Sequence, residues 1–208
     1  MNGKNISKKI IYWYDNNKRF LPWRKKVSKK NREYYTLVSE FMLQQTQVKT
    51  VVPYFKNFVK KIPNLKALSN SNKKKVLKLW EGLGYYTRAK NLHKTSKILI
   101  KKYNGRIPES FVKLKELPGI GDYTANVLLA LIYNQPRVAL DGNVKRVVSR
   151  ITGRKKLSKY NLNYIKSFLS KNIDINRTGD FNEALMELGA CICLPRSPKC
   201  RQCPLNSF

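Results

Sequence analysis

Apolar residues recur every three to four positions along almost the whole chain, and that period is helical. Residues 4–16 set Ile6, Ile10, Ile11 and Tyr14 on one face, and residues 34–47 do the same with Leu37, Val38, Phe41 and Met42. Pro53 can open a helix that runs to Lys61, because a first turn tolerates a residue without an N–H. Further helices are predicted at 73–80, 86–102, 109–116, 122–133, 143–152, 158–171 and 180–191. Turn formers separate them at Pro63-Asn64, Gly82 and Gly84, Asn104-Gly105, Pro118-Gly119, Gly121, Asn134 to Pro136, Gly153 and Gly179. Val138-Ala139-Leu140 is too short to count as a strand, and no 20–50-residue repeat is visible. The predicted fold class is all-α.

Charge limits what such a chain can do. Of its 208 residues 42% are apolar, enough for a core, yet 43 Lys and Arg stand against 12 Asp and Glu, a formal net charge of +31. That excludes an ordinary neutral enzyme and leaves too few carboxylates for an acid-lined divalent-metal site. Aromatic residues interleaved through the chain argue against disorder. A folded protein this basic meets a polyanion: DNA, an RNA or an anionic membrane surface. No run approaches the ~18 apolar residues of a membrane span, and the N-terminus lacks the apolar core of a secretory signal, so export is not expected. The Lys-rich stretches 25–30, 73–75 and 154–156 read as solvated loops or helix faces.

Three constellations carry chemistry. Leu117-Pro118-Gly119-Ile120-Gly121 separates two helical segments. Its glycines allow a turn too tight for a Cβ and expose N–H groups at the next helix start, a phosphate grip; a plain helical hairpin is the alternative. Cys193-x6-Cys200-x2-Cys203 gathers thiols in a Pro-rich loop with little apolar surface, which suits zinc or an iron–sulfur cluster. Cys191, two residues from Cys193, does not share its face. Finally, two of the 12 acidic residues stand out. Glu40, flanked by Val38, Phe41, Met42 and Leu43, would have a raised pKa if buried, and Asp141 precedes Gly142-Asn143 at a helix start that favours an anion. Carboxylates pushed apart in this way can divide acid and anion roles in glycoside cleavage. A surface Glu and a simple N-cap Asp are the alternatives.

These motifs resemble known ones. The cysteine spacing is similar to the iron–sulfur loop of the endonuclease III superfamily of DNA glycosylases. LPGIGDYTANVLLAL (117–131) resembles that superfamily's helix-hairpin-helix, and ALDGNVKRV (139–147) follows it at the family distance. The closer match is the adenine DNA glycosylase branch, the MutY type: LPWR (21–24) resembles its N-terminal motif, SEFMLQQTQV (39–48) its catalytic helix and WEGLGYYTRAKNLH (80–93) its intercalating loop. Together the segments span nearly the whole chain.

The resemblance implies two helical subdomains: a six-helix barrel with the hairpin at 23–134, and an iron–sulfur cluster domain made of 1–22 and 135–208, with the active site in the cleft between them. It implies a monofunctional enzyme that hydrolyses the N-glycosidic bond of adenine opposite 8-oxoguanine or guanine in base excision repair. Glu40 would protonate adenine, Asp141 would stabilise the sugar cation, and Tyr123 and Asn143 would position them. Tyr123 stands where bifunctional relatives carry a Schiff-base lysine. Gln45 and Tyr85 would wedge into the duplex, Arg24 and Glu183 would contact the flipped adenine, and Gly119 and Gly121 would hold the backbone. Cys193, Cys200 and Cys203 would be three ligands of a 4Fe–4S cluster. The family's fourth cysteine would fall at position 209, one past the last residue, so a labile or empty site is expected. Family members continue into a second domain that reads 8-oxoguanine, and the chain stops at Phe208 before it. The expected partner is double-stranded DNA with A:8-oxoguanine or A:G mispairs, bound by a monomer in the cytoplasm at the nucleoid, with no membrane contact. The rival readings are a bifunctional endonuclease III-like glycosylase and AP lyase, against which Tyr123 argues, and a non-catalytic DNA-binding module.

Overall fold

In a computed structural model of the chain, which describes residues 4–25, 27–154 and 158–207, all regular structure among the described residues is helical. Lys26 and residues 155–157, parts of two predicted Lys-rich loops, lie outside the described residues. None of the helices is long and apolar enough to cross a membrane. The chain divides into two compact units, 1–19 with 129–208, and 20–128. The divisions predicted from sequence fall at 22/23 and 134/135.

The first unit is built on α1 (Lys4–Asn17), α9 (Gly142–Ile151), α10 (Lys159–Asn172) and α11 (Thr178–Cys191). α1 and α9 pack on α11, and α10 packs on α9 and α1. The apolar stripe read from residues 4–16 is the buried one: Ile6, Ile10, Ile11 and Tyr14 meet Val144 and Val148 of α9 and Phe181 and Leu188 of α11. Arg177 pairs with both Asp15 and Asp180, and its guanidinium holds the Asp15 carboxyl below the usual carboxylate range. The buried Glu187 is matched by Arg19.

The second unit holds a 3-10 turn (Pro22–Arg24), α2 (Lys29–Leu43), α3 (Val48–Lys61), α4 (Leu65–Asn70), α5 (Lys73–Leu79), α6 (Thr87–Tyr103), α7 (Phe111–Lys115) and the start of α8 (Asp122–Tyr133). α2 packs on α3 and α6, and α4 and α5 lie along α6. Trp80 is fully buried, edge-on to Phe58 at 6.1 Å. Buried Glu33 is satisfied by Arg106 at 2.6 Å and by the Ile107 N–H at 3.1 Å, since an unmatched buried carboxylate would be costly.

Helices α2 and α3 depart most from the sequence reading in their bounds, and α4 is an addition to it. α2 starts at Lys29 because the Ser28 side chain accepts the Asn31 N–H, and it stops at Leu43 because Gln45 turns to φ +58°. Pro53 lies inside α3 instead of opening it: the Gln47 carbonyl accepts the Thr50 and Val51 N–H groups and starts the helix at Val48, so the proline forfeits one internal hydrogen bond. α4 follows Asn64, which the sequence places among the turn formers. Its side chain accepts the Ala67 N–H at 2.8 Å and so caps the helix.

His93, the one histidine of the chain, is buried on α6. Burial, aided by Lys97, pulls its pKa below the ordinary 6.5. Below that value the unfolded chain takes up a proton that the folded chain resists. Stability from this group is therefore full above pH 6.5 and declines as the pH falls. Melting curves between about pH 5 and pH 7.5 are expected to show a Tm that drops toward acid, and His93→Gln is expected to flatten that slope. An identical slope in the variant would remove His93 as its source.

Candidate functional site

The predicted residues fall on both units. In the unit 20–128, Glu40 lies in the last turn of α2 and is 8% exposed, so the helix face that carries Leu37 and Phe41 inward carries the carboxyl inward too. Arg24 is half-buried in the 3-10 turn, next to buried Trp23, whose ring meets that of Phe55 edge-on at 5.3 Å. Tyr123 is half-buried in the first turn of α8. Gln45 and Tyr85 are exposed, Tyr85 by 62%, and both have left-handed backbones, φ +58° and +47°. Such conformations are uncommon without glycine and cluster at functional loops.

The hairpin joins this group. Gly119 has φ +81°, and a Cβ there would lie 2.7 Å from the Phe41 ring and 2.9 Å from Asn91 Cβ. The turn closes through Ile120 N–H to the Leu117 carbonyl, and Thr95 Oγ1 donates to the Pro118 carbonyl at 2.9 Å. Gln44 Nε2 donates to the Gly119 carbonyl at 3.2 Å and to Thr124 Oγ1 at 3.4 Å, so the residue beside Gln45 is tied to the hairpin. Gly121 is exposed with open space where a Cβ would go. Asp122, in the first turn of α8, pairs with Lys115.

In the other unit, Asp141 is the N-cap of α9. Its Oδ1 accepts the Val144 N–H at 2.6 Å, and its Oδ2 accepts from Asn143 Nδ2 at 3.2 Å. The negative charge thus sits at the positive end of the helix dipole. Asn143 Oδ1 accepts from Arg146 at 2.7 Å, and Arg146 also donates to the carbonyls of Gly189 and Cys193, both at 2.8 Å. Arg150, one turn on, donates to Cys193 Sγ at 3.3 Å and to the carbonyls of Leu194 and Pro195. The aspartate's helix and the cysteine loop are therefore one hydrogen-bonded assembly. Glu183 accepts the hydroxyl of buried Tyr14 at 2.6 Å, so its carboxylate has a fixed orientation.

Cys193, Cys200 and Cys203 share the loop after α11. Burial raises the Cys203 thiol, and charge on Cys193 and Cys200 pushes it the same way. Among the described residues no three His, Cys, Asp or Glu side chains already converge on a metal position. Cys191 belongs to α11, and its thiol donates to Glu187 Oε1 at 3.7 Å, away from a fourth-ligand role. Three soft donors on one loop, with an arginine donating to one sulfur, fit an iron–sulfur or zinc site in kind.

Sequence reasoning missed Gln44, Arg88, Arg146 and Arg150. Arg88 had a readable signal. It is in helical register with Leu92, Thr95 and Leu99, so it lies on the buried face of α6. The arginines at 146 and 150 are four apart and three and seven beyond Asn143, one face of α9.

Comparison with known proteins follows the same lines. Residues 38–171 match the HhH-GPD superfamily of base excision DNA repair proteins. The chain is 47% identical over 207 residues to an adenine DNA glycosylase of Buchnera aphidicola subsp. Baizongia pistaciae; the match covers 95% of this chain and 56% of that relative. The chain thus spans little more than half the length of that curated relative. A thermostable thymine-DNA glycosylase has a similar structure, with TM-score 0.84 and 26% identity over 98% of this chain and 93% of that one. Endonuclease III in a non-covalent DNA complex shares the fold, with TM-score 0.78 and 22% identity over 99% of this chain and 94% of that one.

The two hairpin glycines separate cleanly by experiment. Gly119→Ala is expected to cost about 1–3 kcal/mol in urea unfolding, from left-handed strain plus the contacts with Phe41 and Asn91. Gly121→Ala is expected to stay within about 0.5 kcal/mol of the parent. Equal costs for the two would contradict this description of the turn.

Proposed function

Since the chain belongs to the HhH-GPD superfamily of base excision DNA repair proteins, we propose that it carries the catalytic residues of a monofunctional adenine DNA glycosylase. The substrate is double-stranded DNA in which adenine faces 8-oxoguanine or guanine, and the reaction is hydrolysis of the adenine N-glycosidic bond. One observation carries this reading: two carboxylates held in opposite surroundings, Glu40 turned into the apolar side of α2 and Asp141 held at the N-terminus of α9. The relative named as an adenine DNA glycosylase supports it.

The chemistry requires both groups. When the bond between C1′ and the base nitrogen breaks, its electron pair leaves with adenine, which is too basic to depart as an anion. Glu40 donates the proton that makes adenine neutral. The sugar is left as an oxocarbenium ion, and the fixed charge of Asp141 stabilises it, with Asn143 and Arg146 holding that carboxylate in orientation. Water adds to C1′ and loses a proton, giving an abasic sugar. Tyr123 offers a phenol and no amine, so no Schiff base forms and the strand stays intact.

DNA is held by the hairpin N–H groups and by the exposed cations Arg196, Lys199 and Arg201 of the cysteine loop. Gln45 and Tyr85 fill the stack once adenine leaves it, and Arg24 and Glu183 contact the everted base. Cys193, Cys200 and Cys203 are proposed as ligands of a 4Fe–4S cluster, which when bound would fasten their loop into one rigid piece. The enzyme acts as a monomer at the nucleoid.

Glu40→Gln keeps the size and hydrogen bonding of the acid but has no proton to transfer. Single-turnover excision is expected to fall by at least ~10²-fold, with duplex affinity changed by no more than a few-fold. Excision near the parental rate would remove Glu40 from this role. Borohydride is expected to trap little protein–DNA adduct, and efficient trapping would favour a lyase.

A further inference from the structure

Arg88, the second residue of α6, carries a full charge and is only 6% exposed. Burying a guanidinium is costly unless its donors are matched; here backbone carbonyls match both terminal nitrogens, while the buried Nε has no hydrogen-bond partner. Nη1 donates to the carbonyls of Phe41 at 3.3 Å and Met42 at 2.6 Å, and also to that of Gln44. Nη2 donates to the carbonyls of Leu83 at 3.3 Å and Gly84 at 3.1 Å. The guanidinium carbon lies 5.6 Å from the ring centre of Trp80 and 5.3 Å from that of Tyr85. These donors point into the protein, so Arg88 does not serve as a phosphate contact.

The five carbonyls come from two segments far apart in sequence. Phe41, Met42 and Gln44 form the end of α2 and lead into Gln45. Leu83 and Gly84 lead into Tyr85. Gln45 and Tyr85 are exposed and strained, and strain of this kind costs on the order of 1 kcal/mol or more and persists only where surrounding structure imposes it. One planar fork holds the carbonyl just before each of them. A cation near the N-terminus of α6 opposes that helix's own dipole, but it stands at the C-terminal end of α2, where the sign is favourable. Lysine could not substitute, since a single ammonium is a compact point donor and does not span two loops in a fixed plane.

We propose that Arg88 is a positioning residue that locks Gln45 and Tyr85 into one rigid two-pronged element, so that both side chains enter the duplex together. The inference deepens the glycosylase reading and rests on it for the role of the prongs. Fixing both prongs in the free protein removes an ordering cost from DNA binding.

Two measurements test it. The first is amide hydrogen exchange on the DNA-free chain. In Arg88→Lys, protection of residues 43–46 and 82–86 is expected to fall together by about tenfold or more, while α3 keeps its protection. Loss in only one segment, or in neither, overturns the proposal. The second is a double-mutant cycle with Gln45→Ala and Tyr85→Ala, read as affinity for a duplex bearing a non-hydrolysable 2′-fluoro-adenosine opposite 8-oxoguanine. In the parent the two changes are expected to deviate from additivity by about threefold or more, and in Arg88→Lys to become additive within about twofold. Both positions are exposed, so the parental cycle can be measured even if Arg88→Lys does not fold, and additivity there overturns the proposal. Coupling that persists in Arg88→Lys also overturns it. If the parent shows no preference for the mispaired duplex, the adenine reading fails, whereas joint loss of protection still supports the lock.

Discussion

An α-helix leaves its last four carbonyls without partners inside the helix, and an all-helical chain meets that problem at every turn. Here arginines meet it where the candidate chemistry lies. Arg88 takes up the end of α2, and Arg146 and Arg150 take up the end of α11 and the loop beyond it. The N-terminal ends are handled by side-chain caps, among them Ser28, Asn64, Asn72 and Asp141. Gln45, Tyr85, Asp141 and Cys193 all lie within a few residues of a helix end. The hydrogen bonds that complete those ends are therefore the ones that fix the functional loops. Leaving a single buried carbonyl unmatched costs about 1–3 kcal/mol, so a buried arginine that serves several carbonyls is not easily replaced.

Charge is distributed by the same logic. Several of the few carboxylates are committed to arginines: buried Glu33 to Arg106 and buried Glu187 to Arg19, and nearer the surface Asp15 and Asp180 to Arg177. What faces water is a strongly cationic surface suited to a polyanion. Against that background the two carboxylates with chemical potential are set apart by location. Glu40 rides inward on the buried face of α2, whereas Asp141 caps a helix whose first turns carry Asn143 and Arg146. In the proposed reaction this difference in placement is what would divide the roles of acid and anion between them.

Much of this was legible in the chain. The helical period of 4–16 named the residues that α1 buries, and Gly119 announced a turn whose Cβ position is already occupied by Phe41 and Asn91. The burial of Glu40 was legible because its neighbours are apolar, and the N-cap place of Asp141 because Gly-Asn follows it. Other features were not legible, for physical reasons. Asn64 can break a helix or start one, and which it does depends on whether Leu65 and Leu68 find a core. Pro53 fits a first turn locally, but tertiary packing of Val51 and Phe55 extends α3 past it. A basic residue in a basic protein reads as solvated, so Arg88 is visible only through its register with Leu92 and Leu99. The left-handed backbones at Gln45 and Tyr85 have no local signature, since neither residue is a glycine.

The central claim is that these residues together release adenine and leave the strand whole. It is tested most directly by mixing excess protein with a duplex containing one adenine opposite 8-oxoguanine and measuring free adenine together with strand integrity. The account predicts free adenine in step with alkali-labile sites, no strand break before alkali, and no release when the same adenine faces thymine. Tight binding without any adenine release would contradict it, as would strand cleavage that keeps pace with base loss.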